Sequence, residues 1–245
     1  MDRKRFIRNG ILGIASLATA TKLLESCSKD DNNNDDTNAS DDGTCSVSPS
    51  ETKGPFPIKT PSQLVLENIK SDRVGIALLI NLTIENKNNN CEPLSGVLVD
   101  IWHCDKDGNY SEYGGTQMQQ TDYTSVHFLR GRQTTNSNGE VSFISIYPGW
   151  YQGRAPHVHV EVLSNSGSSL LVTQIAFPEN ISSDVYSSTN YAAHGQADTA
   201  NTKDNVFSDS LSVIFIYRSS TQEYFWNCNG QQSTFECANA NECWW

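Results

Sequence analysis

From Ile76 to Ile84 every even position is apolar (Ile76, Leu78, Ile80, Leu82, Ile84), while Asn81, Thr83 and Glu85 occupy the other set. Side chains of an extended chain alternate between two faces, so this period of two predicts a half-buried strand. Val97 to Cys104 predicts a second strand, closed by the Asp107-Gly108 turn. Asn138-Gly139 ahead of Val141 to Ile146 carries the chemistry of a hairpin turn. Further strands are predicted over Val158 to Val162, Leu170 to Phe177 and Val213 to Tyr217, and residues 178 to 210 read as loop with one short helix. No strand-helix-strand alternation and no glycine-rich phosphate loop is present. The predicted fold is therefore all-β, a β sandwich with long functional loops.

The start of the chain has a different pattern. Arg3, Lys4, Arg5 and Arg8 precede the apolar run Gly10 to Ala18, which reads as an export signal. That run is shorter than the roughly 20 apolar residues a spanning helix needs. Leu24-Glu25-Ser26-Cys27 resembles a lipobox, with Glu25 departing from its usual small apolar residue, and makes Cys27 the lipidated first residue of the mature chain. An ordinary secretory peptide is the alternative, and Arg3-Lys4-Arg5-Phe6 resembles a twin-arginine signal with Lys in the second place. Residues 28 to 44 hold six Asp among Asn, Ser and Thr, too polar to repay the entropy of ordering. The expected organisation is signal peptide 1–26, acidic tether 27–44 and one folded domain 45–245, exported and lipid-anchored at the outer membrane or cell surface.

Charge narrows the function. The 245 residues carry 17 Lys plus Arg against 28 Asp plus Glu, a formal charge of −11. An electrostatic grip on nucleic acid is thereby disfavoured. Apart from Cys27, cysteines stand at 45, 91, 104, 228, 237 and 243. An even number in an exported chain favours disulfides, and the absence of a Cys-x-x-Cys pair argues against thiolate metal binding.

The candidate chemistry lies between Tyr110 and Gln174. In Arg154-Ala155-Pro156-His157-Val158-His159-Val160-Glu161-Val162, strand geometry puts the three valines on one face and His157, His159 and Glu161 on the other. Two imidazoles at i and i+2 present nitrogens to a common point, a pattern shared by metal sites and by unremarkable surface histidine pairs. The turn Tyr147 to Gly153 delivers Tyr151 close to this strand, and Gly108-Asn109-Tyr110 places a second Tyr after a strand and turn. Such tyrosines usually serve packing. Two phenolates beside two imidazoles would nevertheless suit Fe³⁺, a hard cation that favours anionic oxygen. Glu161, one pleat further on, is expected outside the ligand set or at the surface. His103 is expected to be structural, and His127 and His194, in polar loops, to be exposed.

Leu94 to His103, Gly108-Asn109-Tyr110-Ser111, Phe128-Leu129-Arg130-Gly131, and Pro148-Gly149-Trp150-Tyr151 with Arg154 and His157-Val158-His159 together resemble the intradiol ring-cleavage dioxygenases, the family of catechol 1,2-dioxygenase and protocatechuate 3,4-dioxygenase. The resemblance implies a prealbumin-like β sandwich holding one non-haem Fe³⁺ through Tyr110, Tyr151, His157 and His159. It implies a catechol-type substrate that chelates the iron and displaces Tyr151, which accepts a proton on leaving. O₂ then opens the ring between the hydroxyl carbons to a muconate-type diacid. Arg154 would stabilise negative charge on the substrate, Gln174 matches an active-site Gln, and the 111–127 loop, with Tyr113 and Tyr123, would shape the pocket. The exported, cysteine-bearing branch is nearest, through Trp102-His103-Cys104-Asp105 and Val185-Tyr186 to Asp204, and it implies a Cys45–Cys104 disulfide, with Cys228, Cys237 and Cys243 tying down the tail. The implied partners are small molecules, with the membrane reached only through the anchor. Two alternatives stay open: a non-catalytic prealbumin-like binding module, and a copper or zinc β-sandwich oxidoreductase, for which five histidines are a poor supply.

Overall fold

The structure, a computed structural model, describes Cys45, residues 47–210 and the strand backbones of 216–217, 223–228 and 231–236. The export signal, Cys27, the whole tether, and Cys237 and Cys243 lie outside the described residues, as does part of the strand expected over Val213 to Tyr217.

The strands are β1 (Ala77–Thr83), β2 (Glu85–Asn86), β3 (Glu92–Pro93), β4 (Leu98–Trp102), β5 (Arg130–Thr134), β6 (Glu140–Ile146), β7 (His157–Leu163), β8 (Ser169–Ala176), β9 (Ile216–Tyr217), β10 (Glu223–Cys228) and β11 (Gln231–Glu236). One helix, α1 (Glu179–Tyr186), falls in the segment expected to hold one. β1 pairs with β6, and a four-stranded antiparallel sheet runs β5-β4-β7-β8. Leu78, Ile80, Leu82, Val141 and Phe143 from the first sheet pack with Val99, Ile101, Val158, Val160, Val162 and Ile175 from the second. These alternate residues form the sandwich core, each fully buried aliphatic side chain stabilising it by roughly 1.5–3 kcal/mol.

Two expectations are corrected. Asn136 to Glu140 is indeed a tight turn, with the amides of Asn138 and Glu140 donating to the Asn136 side chain, but β5 and β6 belong to different sheets and do not form a hairpin. Gly139, at φ +75°, lies so close to the Ile84 carbonyl that a Cβ would stand 2.4 Å from it. The turn therefore packs on the end of β1 and redirects the chain from one sheet to the other. The disulfide joins Cys45 to Cys91, Cα atoms 5.7 Å apart, and Cys104 is a buried free thiol. Cys91 precedes β4 and Cys104 follows it, so the two sit at opposite ends of the strand, and one cysteine cannot reach both.

The segment before β1 crosses the outer face of the four-stranded sheet. The Glu51 amide donates to Val172 on β8, and the Arg132 amide of β5 donates to Leu64. Further along, Ile144 of β6 donates to the Glu67 carbonyl, and the Ile69 amide donates back to Ile144. Residues 64–69 thus stitch the two sheets together along one side.

Candidate metal centre

Along β7 the two faces part as the alternation predicts: the valines enter the core, and His157, His159 and Glu161 point to the outer face. All seven residues are buried, because residues 51–58 and the 103–128 loop cover that outer face. Register places His159 opposite Trp102 and Gln174, and Glu161 opposite Asp100. The indole of Trp102 stacks flat on the His159 ring, centroids 4.8 Å apart and 3° from parallel, fixing its plane.

His157 Nδ1 lies 2.6 Å from the Ala155 carbonyl. A carbonyl only accepts, so Nδ1 carries the proton and Nε2 presents a lone pair. That lone pair faces His159 Nε2 at 3.2 Å and Tyr110 Oη at 3.3 Å. Burial, with Arg154 nearby, pushes the His157 pKa down to about 3, and burial with His157 beside it drives His159 well below its ordinary value. Both imidazoles are neutral at pH 7, the form that ligates metals.

Tyr110 is wholly buried, held by Gln119, which accepts from its amide at 2.7 Å and donates to its carbonyl at 2.8 Å. Its ring stacks on Phe56 at 4.7 Å. Tyr151 is only partly buried, its ring 5.8 Å from that of Tyr110 and 5.6 Å from that of His157. The turn that carries it is fixed by aromatic hydroxyls: Tyr186 of α1 donates to the Pro148 carbonyl and Tyr191 to that of Tyr147. Burial raises the pKa of both tyrosines, opposed at Tyr151 chiefly by Arg154. A nearby cation is what would draw off their protons.

Arg154 is clamped. Its Nε donates to Asp204 at 2.8 Å, Nη2 to Gln174 Oε1 at 2.6 Å, and Nη1 lies 3.4 Å from Tyr151 Oη. Gln174 is buried and donates through Nε2 to the Thr52 carbonyl at 2.7 Å. Asp204 also accepts from the Ala155 amide and follows the short helical turn Asn201–Lys203, which Asn201 ties to Phe177. The six candidate residues Tyr110, Tyr151, Arg154, His157, His159 and Gln174 therefore meet in one place.

Neighbouring residues divide. His103 is structural, its Nδ1 on the Cys104 carbonyl and its Nε2 on Ser145. Glu161 is buried and paired with Lys53 at 2.6 Å, outside the ligand group but not at the surface. His127 is exposed and donates to Glu112, whereas His194 is half-buried against Trp150, to whose carbonyl it donates, so its expected exposure is corrected. Tyr113 packs edge-on to Phe56 beside the centre, while Tyr123 turns away to Phe128. Four contributors carry no site role in the sequence reading: Thr52, which acts through its carbonyl, Gln119, Asp204 and the segment around Phe56. Among the described residues no three His, Cys, Asp or Glu side chains gather at metal-ligand spacing. The donor set is completed by phenols and departs from a histidine-rich copper or zinc site.

The family model described as Dioxygenase matches residues 56–215. An intradiol ring-cleavage dioxygenase from Tetranychus urticae is 34% identical over 67% of this chain and 81% of its own, with a TM-score of 0.61. Chlorocatechol 1,2-dioxygenase from Rhodococcus opacus is 28% identical over an alignment of 104 positions that covers 35% of this chain and 38% of the relative, so the chain matches little more than a third of that curated protein's length. The family match spans Tyr110, Tyr151 and the His157/His159 strand together with the sheet that presents them, and the chain belongs to the intradiol ring-cleavage dioxygenases.

Proposed function

We propose that this protein opens the ring of a catechol-type aromatic diol between its two hydroxyl-bearing carbons, taking up O₂ and giving a muconate-type diacid. The observation that carries the reading is the convergence of two phenols and two neutral imidazoles at the start of β7, with an arginine held against one of the phenols. This donor set fits ferric iron: two phenolates offset two of its charges, and the His157 lone pair already points at the other donors. Tyr110, Tyr151, His157 and His159 would hold the ion. Bound there, it supplies Lewis acidity that keeps the diol ionised and the redox chemistry that lets the ring react with O₂.

The chain's own residues supply the rest. Tyr151 is the less buried tyrosine, and its Oη takes a proton from a diol hydroxyl as substrate enters. Tyr110, enclosed by Phe56 and held by Gln119, stays in place. Arg154 keeps Nη1 toward the place where negative charge develops, because Asp204 and Gln174 take up its other nitrogens. Trp102 and Phe56 exclude water from two sides. The relative from Rhodococcus opacus is named for chlorocatechol, in keeping with a diol substrate.

The test is iron-replete expression followed by turnover on a panel of substituted catechols with products identified. The expected protein is red-brown from phenolate-to-iron charge transfer, and anaerobic catechol shifts the band. A colourless protein with stoichiometric zinc or copper, inactive on every diol, overturns the reading. The proposal includes export and lipid anchoring through Cys27 at the outer membrane or cell surface, supported by the order of basic, apolar and Cys residues over 3–27. Cys27→Ser is expected to move the protein from the membrane to the soluble fraction; unchanged partitioning would remove that part.

A further inference from the structure

The two carboxylates Asp100 and Glu161 face each other across β4 and β7, both buried, two register positions from the His159 row and on the same face. Arg132 spends Nε and Nη2 on the two oxygens of Asp100, at 2.5 and 2.7 Å. Glu161 is matched instead by Lys53, whose Nζ stands 2.6 Å from Oε1, an atom that makes no hydrogen bond of regular geometry. Lys53 belongs to no strand. It sits in the middle of the segment that crosses the outer face of the sheet, between Thr52, whose carbonyl accepts from Gln174, and Gly54, whose Cα hydrogens face His159.

The fastening of this strap has a clear order. Glu51 is hydrogen-bonded to the edge of β8, and the Phe56 carbonyl accepts from Arg130 Nη1 at 2.9 Å. Between those points Gln174 of β8 donates to the Thr52 carbonyl and Glu161 of β7 pairs with Lys53, while Thr52 Oγ1 accepts from the Gly54 amide in a local turn. The Thr52 carbonyl has a further effect. Because it can only accept, it turns the Gln174 amide so that Nε2 faces the strap and Oε1 faces Arg154. A strap displaced from the sheet would release that amide and, with it, one of the bonds that aims Arg154.

We infer that Lys53 is a positioning residue for ring cleavage: its ion pair with buried Glu161 pins the strap over the metal centre, and the pinned strap orients Gln174 and Arg154. This rests on the proposed function for its catalytic consequence, and on the packing alone for the strap. Without Lys53 the Glu161 carboxylate stays buried beside Asp100 with no counter-ion of its own, which draws water under the strap.

The test uses the full-length, iron-loaded protein with Lys53→Met, Lys53→Arg and the exchange Lys53→Glu/Glu161→Lys. Hydrogen exchange at the Glu51 and Gly54 amides, iron content and steady-state kinetics on catechol are measured together. Lys53→Met is expected to speed strap exchange at least about tenfold, leave iron content unchanged and lower kcat about tenfold or more with a smaller change in KM, because misplacement of a group that acts on the reacting atoms is costly. Lys53→Arg is expected to restore both readouts, and the exchange variant to restore them in part. Strap exchange at the wild-type rate in Lys53→Met overturns the inference. So does loosened exchange with unaltered kcat, the signature of a purely structural contact. A wild-type protein that opens no catechol instead overturns the reading of function and the catalytic half of this inference with it, while the exchange comparison still decides whether Lys53 pins the strap.

Discussion

β1 and β7 are both seven residues long and both alternate, yet they lie in opposite environments. In β1 burial follows the pattern strictly, with Leu78, Ile80 and Leu82 inside and Leu79, Asn81 and Thr83 half-exposed. In β7 all seven positions are buried, although His157, His159 and Glu161 are polar. Alternation therefore reports which residues face the core and is silent on what covers the other face. A second face that buries imidazoles and a carboxylate costs stability, because each polar group loses water. The difference marks β7 as the strand that gives up stability for chemistry.

The most severe way to break that comparison is to remove the polar face of β7. His157→Ala or His159→Ala is expected to lose iron and its colour and to lower turnover by more than about a hundredfold, beyond the loss that outer partners of metal ligands produce. Metal analysis with kinetics checks it. Tyr151→Phe is expected to keep iron in part and to slow turnover about a hundredfold through loss of the base, with a changed absorption band.

On the core faces the two strands should behave alike. Ile80→Ala on β1 and Val160→Ala on β7 are each expected to cost about 2–4 kcal/mol by urea denaturation, with iron content unchanged. A Val160 variant that loses iron would show that the faces of β7 are not separable.

A finer test concerns the buried imidazole at the end of β4. His103 is enclosed, and burial lowers its pKa from 6.5 to about 4. Above pH 6.5 both folded and unfolded forms are neutral there and stability is full; as pH falls toward 4 the unfolded chain takes up a proton that the folded one refuses. Stability is expected to fall by about 3 kcal/mol over that window, a slope His103→Gln should reduce in urea midpoints measured against pH.

Much of this was legible in sequence because strands of period two declare themselves, and because Tyr110, Tyr151, His157 and His159 sit in short motifs. The hairpin expected at Asn138-Gly139 was misleading for a physical reason: turn chemistry is local and says nothing of which strands pair afterwards. The Cys45–Cys91 bond was illegible because pairing depends on which end of β4 each cysteine reaches. Asp204 lies 50 residues beyond the arginine it clamps, and Thr52 contributes a backbone carbonyl, which no residue type advertises.

The segment that crosses the outer face has one more effect. β8 and β5 are the two edges of the four-stranded sheet, and each edge offers unpaired amides and carbonyls on which a strand from another molecule could dock. Glu51 engages β8 at Val172, and Leu64 engages β5 at Arg132. One stretch of about fifteen residues thus covers the candidate metal centre and blunts both borders of its sheet, so loosening it at either end is expected to expose sticky edges and bring self-association.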